Sequence, residues 1–207
     1  MIELSSGNIT LDSLPLTRVP RQTIRSRLIG LPQDAYLLPG SVRLNADPLK
    51  QSNDKAIMAA LRDVLLWDII VAKGDVDKYA HPLDVEVEDL HLSHGQRQLF
   101  CLARAMLRKD KANIVVMDEA TSNLDATTDA HVQRLLRSNF PHHTIISVAH
   151  KLNTILDFDK VVVMNKGQLV EYGAPYKLLE RQGSWFKSLY EDVARREEAE
   201  DGLEIVN

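Results

Sequence analysis

The chain alternates between two rhythms of apolar spacing. Residues 8–12 (Asn-Ile-Thr-Leu-Asp) alternate apolar with polar and predict a strand leading into a Ser-Leu-Pro turn. Leu28, Ile29, Gly30 and Leu31 form a short apolar run closed by Pro32, which predicts a second strand. From Tyr36 to about His81 the spacing lengthens to a helical one. With Asn53 or Asp54 as its cap, a helix places Ile57, Ala60, Leu61, Val64 and Leu65 on one face. Another helix is predicted over residues 93–107, burying Leu99, Leu102, Ala103 and Met106.

Beyond residue 113 strands and helices take turns. Ile114, Val115, Val116 and Met117 are continuously apolar, as in a strand buried on both faces of a parallel sheet. Residues 125–137 predict a helix and 144–148 the next buried strand. Residues 161–164 and 168–172 predict a hairpin whose turn is set by Asn165 and Gly167. From Pro175 the tail reads as helical and grows charged, ending over residues 195–201 in a solvated, fraying helix end. Met58, Met106, Met117 and Met164 are expected to fill core gaps, and Trp67 and Trp185 to anchor amphipathic helices. The expected fold is an α/β core with a helical insertion between about residues 36 and 110.

Composition narrows the class of function. At 207 residues the chain suffices for one domain with a core, or a core plus a small subdomain. A net charge of −4 offers no long-range attraction to nucleic acid or acidic lipid. The single Cys101 excludes an internal disulfide and fits a reducing compartment. No run reaches the roughly 18 apolar residues of a membrane helix; the longest candidate, residues 64–72, is broken by Asp68. The first ten residues read neither as a signal peptide nor as an Arg-rich transit peptide. The chain itself is expected to be soluble.

Candidate chemistry gathers where strands end, which is where open α/β sheets bind ligands. Asp118 follows the 114–117 run, and a carboxylate there suits Mg²⁺, which prefers hard oxygen ligands. Glu119 beside it can orient or deprotonate a water that attacks a phosphate. The same two acids also read simply as a strand end and loop start. Ser93, His94, Gly95 and Gln96 open a helix, where free N–H groups make an anion site and Gly95 admits a phosphate close to the backbone. Ser93 with Gln96 reads equally as a capping box. His150 ends the next strand and faces the same sheet edge, from which it could donate to a phosphate. Gln33, just past the 28–31 strand, adds a polar group there.

Taken together these segments resemble the ATP-binding-cassette ATPases over nearly the whole chain. Leu31-Pro32-Gln33-Asp34 resembles the Q-loop, and Leu92-Ser93-His94-Gly95-Gln96-Arg97-Gln98-Leu99 the family signature. Residues 114–118 with Glu119 resemble the Walker B strand and its glutamate. Ser122-Asn123-Leu124-Asp125 resembles the D-loop, and Ala149-His150 the switch histidine. Residues 20–28 and 38–48 are similar to the second ATPase domain of C-subfamily multidrug-resistance and conjugate exporters. In that subfamily the first domain often carries Asp where this chain has Glu119. His94 stands where the signature usually has glycine, and its imidazole is expected to crowd a phosphate at that place.

The resemblance implies a P-loop NTPase-like parallel sheet with an inserted helical subdomain. It divides the chain into a core remnant (1–35), the signature subdomain (36–110), the catalytic core (111–190) and a charged tail (191–207). It implies ATP and Mg²⁺ as cofactors, with Glu119, His150 and Gln33 catalytic, and Asp118 and Gln33 at the metal. Ser93, Gly95, Gln96 and the D-loop Asp125 would serve the ATP of a second ATPase domain bound head to tail. Transmembrane domains would be the other partner, placing the module on the cytoplasmic face of a membrane.

None of the nine glycines lies in the Walker A pattern G-x-x-x-x-G-K-[ST]. The first seven residues resemble the sequence just after the family's first helix, so the chain is expected to begin past it and to lack the P-loop strand. Charge-assisted hydrogen bonds contribute about 1.5–3 kcal/mol each, so losing three phosphate donors removes roughly 5 kcal/mol, on the order of a thousandfold in affinity. The chain alone is therefore expected neither to hold ATP tightly nor to turn it over, and to leave residues 114–117 and 144–148 exposed on one side. Two other readings stay open: a non-catalytic half-domain that docks on another such ATPase, and a soluble member of the family in DNA repair or translation.

Overall fold

The computed structural model describes residues 6–74, 78–149 and 151–204, with side chains as far as Arg195. In chain order the elements are β1 (Thr10–Leu11), β2 (Leu14–Pro15), α1 (Arg21–Arg27), β3 (Leu28–Leu31), α2 (Val42–Ala46), α3 (Asp54–Asp63) and α4 (Trp67–Lys73). There follow α5 (His94–Met106), β4 (Ile114–Asp118), α6 (Ala126–Asn139), β5 (Thr144–Val148), β6 (Val161–Asn165), β7 (Gln168–Gly173), α7 (Pro175–Glu180) and α8 (Trp185–Glu204). Residues 1–148 and 149–207 form two compact units.

In the first unit β3, β4 and β5 form a parallel sheet in that spatial order. The strands form where β-branched and aliphatic residues run together, and each pair of neighbours is joined by a helical crossover, as parallel strands require. One face packs into the core through Ile29, Leu31, Val115 and Met117, against α5 and α6 residues such as Leu99, Leu102, Val132 and Leu136. The other face is open. Val116, Ile146 and Val148 are 38%, 53% and 55% exposed. The reading of residues 114–117 as buried on both faces is therefore corrected, while the expectation that residues 114–117 and 144–148 lie exposed on one side agrees with the structure. Exposure falls on alternate residues, and the register Val116↔Ile146 and Asp118↔Val148 puts them on a single face.

The predicted helix after Asn53 forms, with the Asn53 side chain accepting from the Ala56 N–H at 2.9 Å. It ends earlier than its apolar pattern implies. Leu65 has φ +61° and is 54% exposed, so it is not part of the buried face. The Leu65 N–H donates to the Arg62 carbonyl and the Leu66 N–H to the Leu61 carbonyl, a Schellman ending that puts Leu66 rather than Leu65 into the core. A left-handed residue without glycine is tolerated there because two hydrogen bonds and a buried leucine hold it.

In the second unit β6 and β7 pair antiparallel, with Val161, Val163, Leu178 and Phe186 forming a small core. The turn residues with positive φ are Lys166 (+49°) and Gly167 (+76°), and Asn165 pairs with Gln168 as the last residue of its strand. The turn is thus set by Lys166 and Gly167, not by Asn165. Glu171 and Ser184 are buried there; Ser184 Oγ and the Phe186 N–H both donate to Glu171 Oε2, at 2.9 and 2.8 Å, which fixes the start of α8. Met106 and Met117 are buried as expected, whereas Met164 lies on the exposed side of its strand. Trp185 is half exposed at the first turn of α8. Among the described residues no helix is long and apolar enough to cross a membrane.

Candidate functional site

The carboxyl ends of β3 and β4 bring three of the expected residues to one edge. Pro32 stops β3, and two residues past Leu31 the Gln33 side chain reaches across to the neighbouring strand end. Its Nε2 donates to Glu119 Oε2 at 3.0 Å. Asp118 is the last residue of β4 and shares the open face with Val116. Glu119 is the first residue beyond it, and its backbone turns sharply with φ +48°. Its N–H still donates to the Val148 carbonyl at 3.1 Å, and its own carbonyl accepts from the Ser122 N–H at 3.0 Å. A glutamate in the left-handed region is uncommon, and such strain concentrates where a side chain must be aimed.

The second group forms the start of α5. Ser93 caps it: Ser93 Oγ accepts from the Gln96 N–H at 3.2 Å, and Gln96 Oε1 accepts from the Ser93 N–H at 3.0 Å. The capping box expected from the spacing is present. It uses the acceptor oxygens of both side chains, so the Ser93 hydroxyl proton and the Gln96 amide protons remain the donor side of this turn. His94 Nε2 lies 3.9 Å from Asp34 Oδ1, which places the imidazole beside the segment that carries Gln33.

Gly95 has a further neighbour that the sequence did not suggest. A β-carbon at this position would lie 2.9 Å from the Asn123 carbonyl oxygen and 3.2 Å from Leu124 Cδ2. The missing side chain therefore admits the protein's own loop, residues 122–125, against the helix start. Asp125 ends that loop as the cap of α6. Its Oδ1 accepts from the Thr128 N–H at 3.0 Å and its Oδ2 from the Thr128 hydroxyl at 2.7 Å. These bonds favour the ionised form and hold the Asp125 carboxyl below its ordinary pKa, the Thr128 N–H contributing most. His150 lies outside the described residues.

Three polar residues outside the expected site, Asn45, Gln98 and Arg104, tie the neighbouring segments together. Asn45 is fully buried in the short helix α2, where its Nδ2 donates to the Leu38 and Ser41 carbonyls and its Oδ1 accepts from the Leu38 N–H at 2.7 Å. Arg104 of α5 donates through Nε to the Asn45 carbonyl at 2.8 Å, tying residues 36–46 to the signature helix. Gln98, also on α5 and buried, donates through Nε2 to the Gln33 carbonyl at 3.4 Å. The available signal was a polar residue inside an otherwise apolar helical stripe, as at Asn45 and Gln98.

Residues 1–122 match the family model described as ABC transporter. An ABC-type transporter of Gibberella zeae is 51% identical over 94% of this chain and 13% of its own length. ABC multidrug transporter B of Aspergillus fumigatus is 50% identical over 92% of the chain and 12% of its own length. The putative ABC transporter C family member 15 of Arabidopsis thaliana is 38% identical, over 95% and 18%. Among solved structures, a bacterial Atm1-family ABC exporter with ATP bound superposes with a TM-score of 0.79 at 28% identity, over 92% of this chain and 32% of that one. The chain thus spans less than a fifth of the length of these curated relatives. With its parallel sheet, its signature helix and these relatives, the chain belongs to the ABC transporter family, as part of the ATP-binding ATPase domain.

Proposed function

We propose that this chain supplies the hydrolytic carboxylate and the signature helix of the ATPase module of an ABC-type transmembrane exporter. The observation that carries the reading is the 3.0 Å hydrogen bond from Gln33 to Glu119 across two adjacent parallel strand ends. Gln33 donates to one oxygen of that carboxylate. Gln33 holds the carboxylate in direction, and Glu119 would accept a hydrogen bond from the water that attacks the γ-phosphate. His150, next in chain after Ala149, would donate to that phosphate.

The donor set suits Mg²⁺: the Asp118 carboxylate and the Gln33 amide oxygen are hard ligands carried by neighbouring strand ends. Among the described residues no group of three or more His, Cys, Asp or Glu converges, so the remaining positions would be filled by phosphate oxygens and water. A bound Mg²⁺ supplies charge neutralisation of the transferring phosphate. Ser93, Gly95, Gln96 and Asp125 would serve the nucleotide of a second ATPase domain packed head to tail, and the pair would drive transmembrane domains.

The 207 residues contain no Walker A cradle, so the polypeptide by itself is expected to bind Mg-ATP no better than about millimolar, given the roughly 5 kcal/mol that three phosphate donors contribute. Titration calorimetry checks this, and micromolar affinity would refute it. The catalytic assignment is tested by grafting these residues over the matching segment of a full-length relative. ATP hydrolysis is expected to persist in the graft and to fall at least about a hundredfold in Glu119→Gln, with nucleotide binding retained. Hydrolysis unaffected by Glu119→Gln would favour the alternative, a segment that binds a partner domain without catalysing.

A further inference from the structure

Gln98 is the one long polar side chain that α5 turns into the core, where it is 4% exposed. It sits among Leu31, Leu99, Leu102, Ala120 and Leu124, around a cavity of about 10 Å³. Those neighbours belong to three places: the end of β3 that leads to Gln33, the signature helix, and the loop that follows Glu119. Its Nε2 makes one long bond, 3.4 Å, to the Gln33 carbonyl, and its Oε1 has no partner among the described residues. A buried amide with an orphaned acceptor is a net burden on a fold, and an apolar side chain of the same length would pack there without it. What Gln98 does that an apolar residue cannot is grip the backbone of Gln33.

We propose that Gln98 is a positioning residue for the Gln33–Glu119 pair. By fixing the Gln33 carbonyl, Gln98 sets the direction in which that residue's side chain leaves the backbone, and so the 3.0 Å contact with Glu119. The link is direct. One end lies on the helix whose first turn carries Ser93 and Gln96, and the other on the carboxylate, so a shift of α5 is felt at Glu119 through a single residue. The part Gln33 and Glu119 play in hydrolysis rests on the function proposed above, but the positioning itself does not.

The test uses the ¹⁵N-labelled chain without nucleotide, comparing wild type with Gln98→Met, which keeps length and flexibility and removes both polar atoms. The expected result is a melting temperature equal to or above wild type. The Gln33 side-chain amide signals shift and exchange faster, while the Ser93 and Gln96 backbone amides stay in place. A folded Gln98→Met chain with unmoved Gln33 signals overturns the proposal, as does a lower melting temperature with those signals unmoved. A measurement on wild type alone covers the case in which the variant does not fold. The Gln98 side-chain amide protons should exchange far more slowly than those of Gln96, and equal exchange overturns the proposal. Because no nucleotide is present, a shifted Gln33 combined with an inactive graft would refute the hydrolytic reading and leave the positioning intact.

Discussion

Gly95 occupies the second position of the signature helix, where two effects of a methyl group oppose each other. Alanine in place of glycine favours a helix by up to about 1 kcal/mol. Its β-carbon, however, would meet the Asn123 carbonyl at 2.9 Å, a backbone atom that cannot swing aside, and overpacking of this kind costs about 1–3 kcal/mol. The clash wins. Gly95→Ala is expected to lower stability by about 1 kcal/mol, or roughly 2–4 °C in a chain of this size, measured by thermal unfolding. A variant as stable as wild type would show that residues 122–124 can withdraw from the helix. The sequence suggested a glycine that makes room for phosphate; the structure adds that the room is already shared with the protein's own loop.

At the scale of elements, α6 begins on a charged cap whose effect depends on pH. The folded Asp125 pKa lies below its unfolded value, because its carboxylate accepts from Thr128. The sign follows: the ionised cap stabilises above the unfolded pKa of about 3.9, and that contribution is lost as pH falls through the folded value. The Thr128 amide signal should therefore titrate with a midpoint below about 3.9 in wild type and stay flat in Asp125→Asn, which keeps a cap oxygen but not the charge. A midpoint above that value in wild type would contradict the assigned cap. Helices and strands of this kind were legible beforehand because each carries a local cause. Asn53, Ser93 and Asp125 announce starts, and the apolar runs after Asn113 and His143 announce strands. The misreadings had non-local or conformational causes. Leu65 fits the helical stripe, yet the Schellman ending turns it outward, and Lys166 rather than Asn165 takes the left-handed turn position. In the site, Glu119 and Gln33 stood out by position at strand ends, but their contact is made by residues 86 apart in sequence. Gln98 and Asn45 stayed hidden because burial is decided by packing partners that apolar spacing does not name.

At the scale of the whole chain, the open sheet face dominates the expected behaviour in solution. Val116, Ile146 and Val148 stand on one face, over half-buried Ile114, and together present an apolar strip. Contiguous apolar surface of this kind drives association. The 207-residue chain is expected to self-associate with rising concentration, and Ile146→Thr with Val148→Thr to shift it toward monomer, read by sedimentation velocity. Threonine keeps the β-branched shape that favours a strand while removing apolar area. Association unchanged in the double variant would place the sticky surface elsewhere.

The backbone at Glu119 carries an implication for how such sites decay over generations. With φ at +48°, the residue sits where glycine and asparagine rest more easily than glutamate, by about 1 kcal/mol. Replacing Glu119 with either one discards the carboxylate and relaxes the main chain in the same step. If Glu119 carries the hydrolytic role proposed above, selection for hydrolysis holds this position against a steady pull from stability, and drift toward a silent site would run downhill once that selection lapsed.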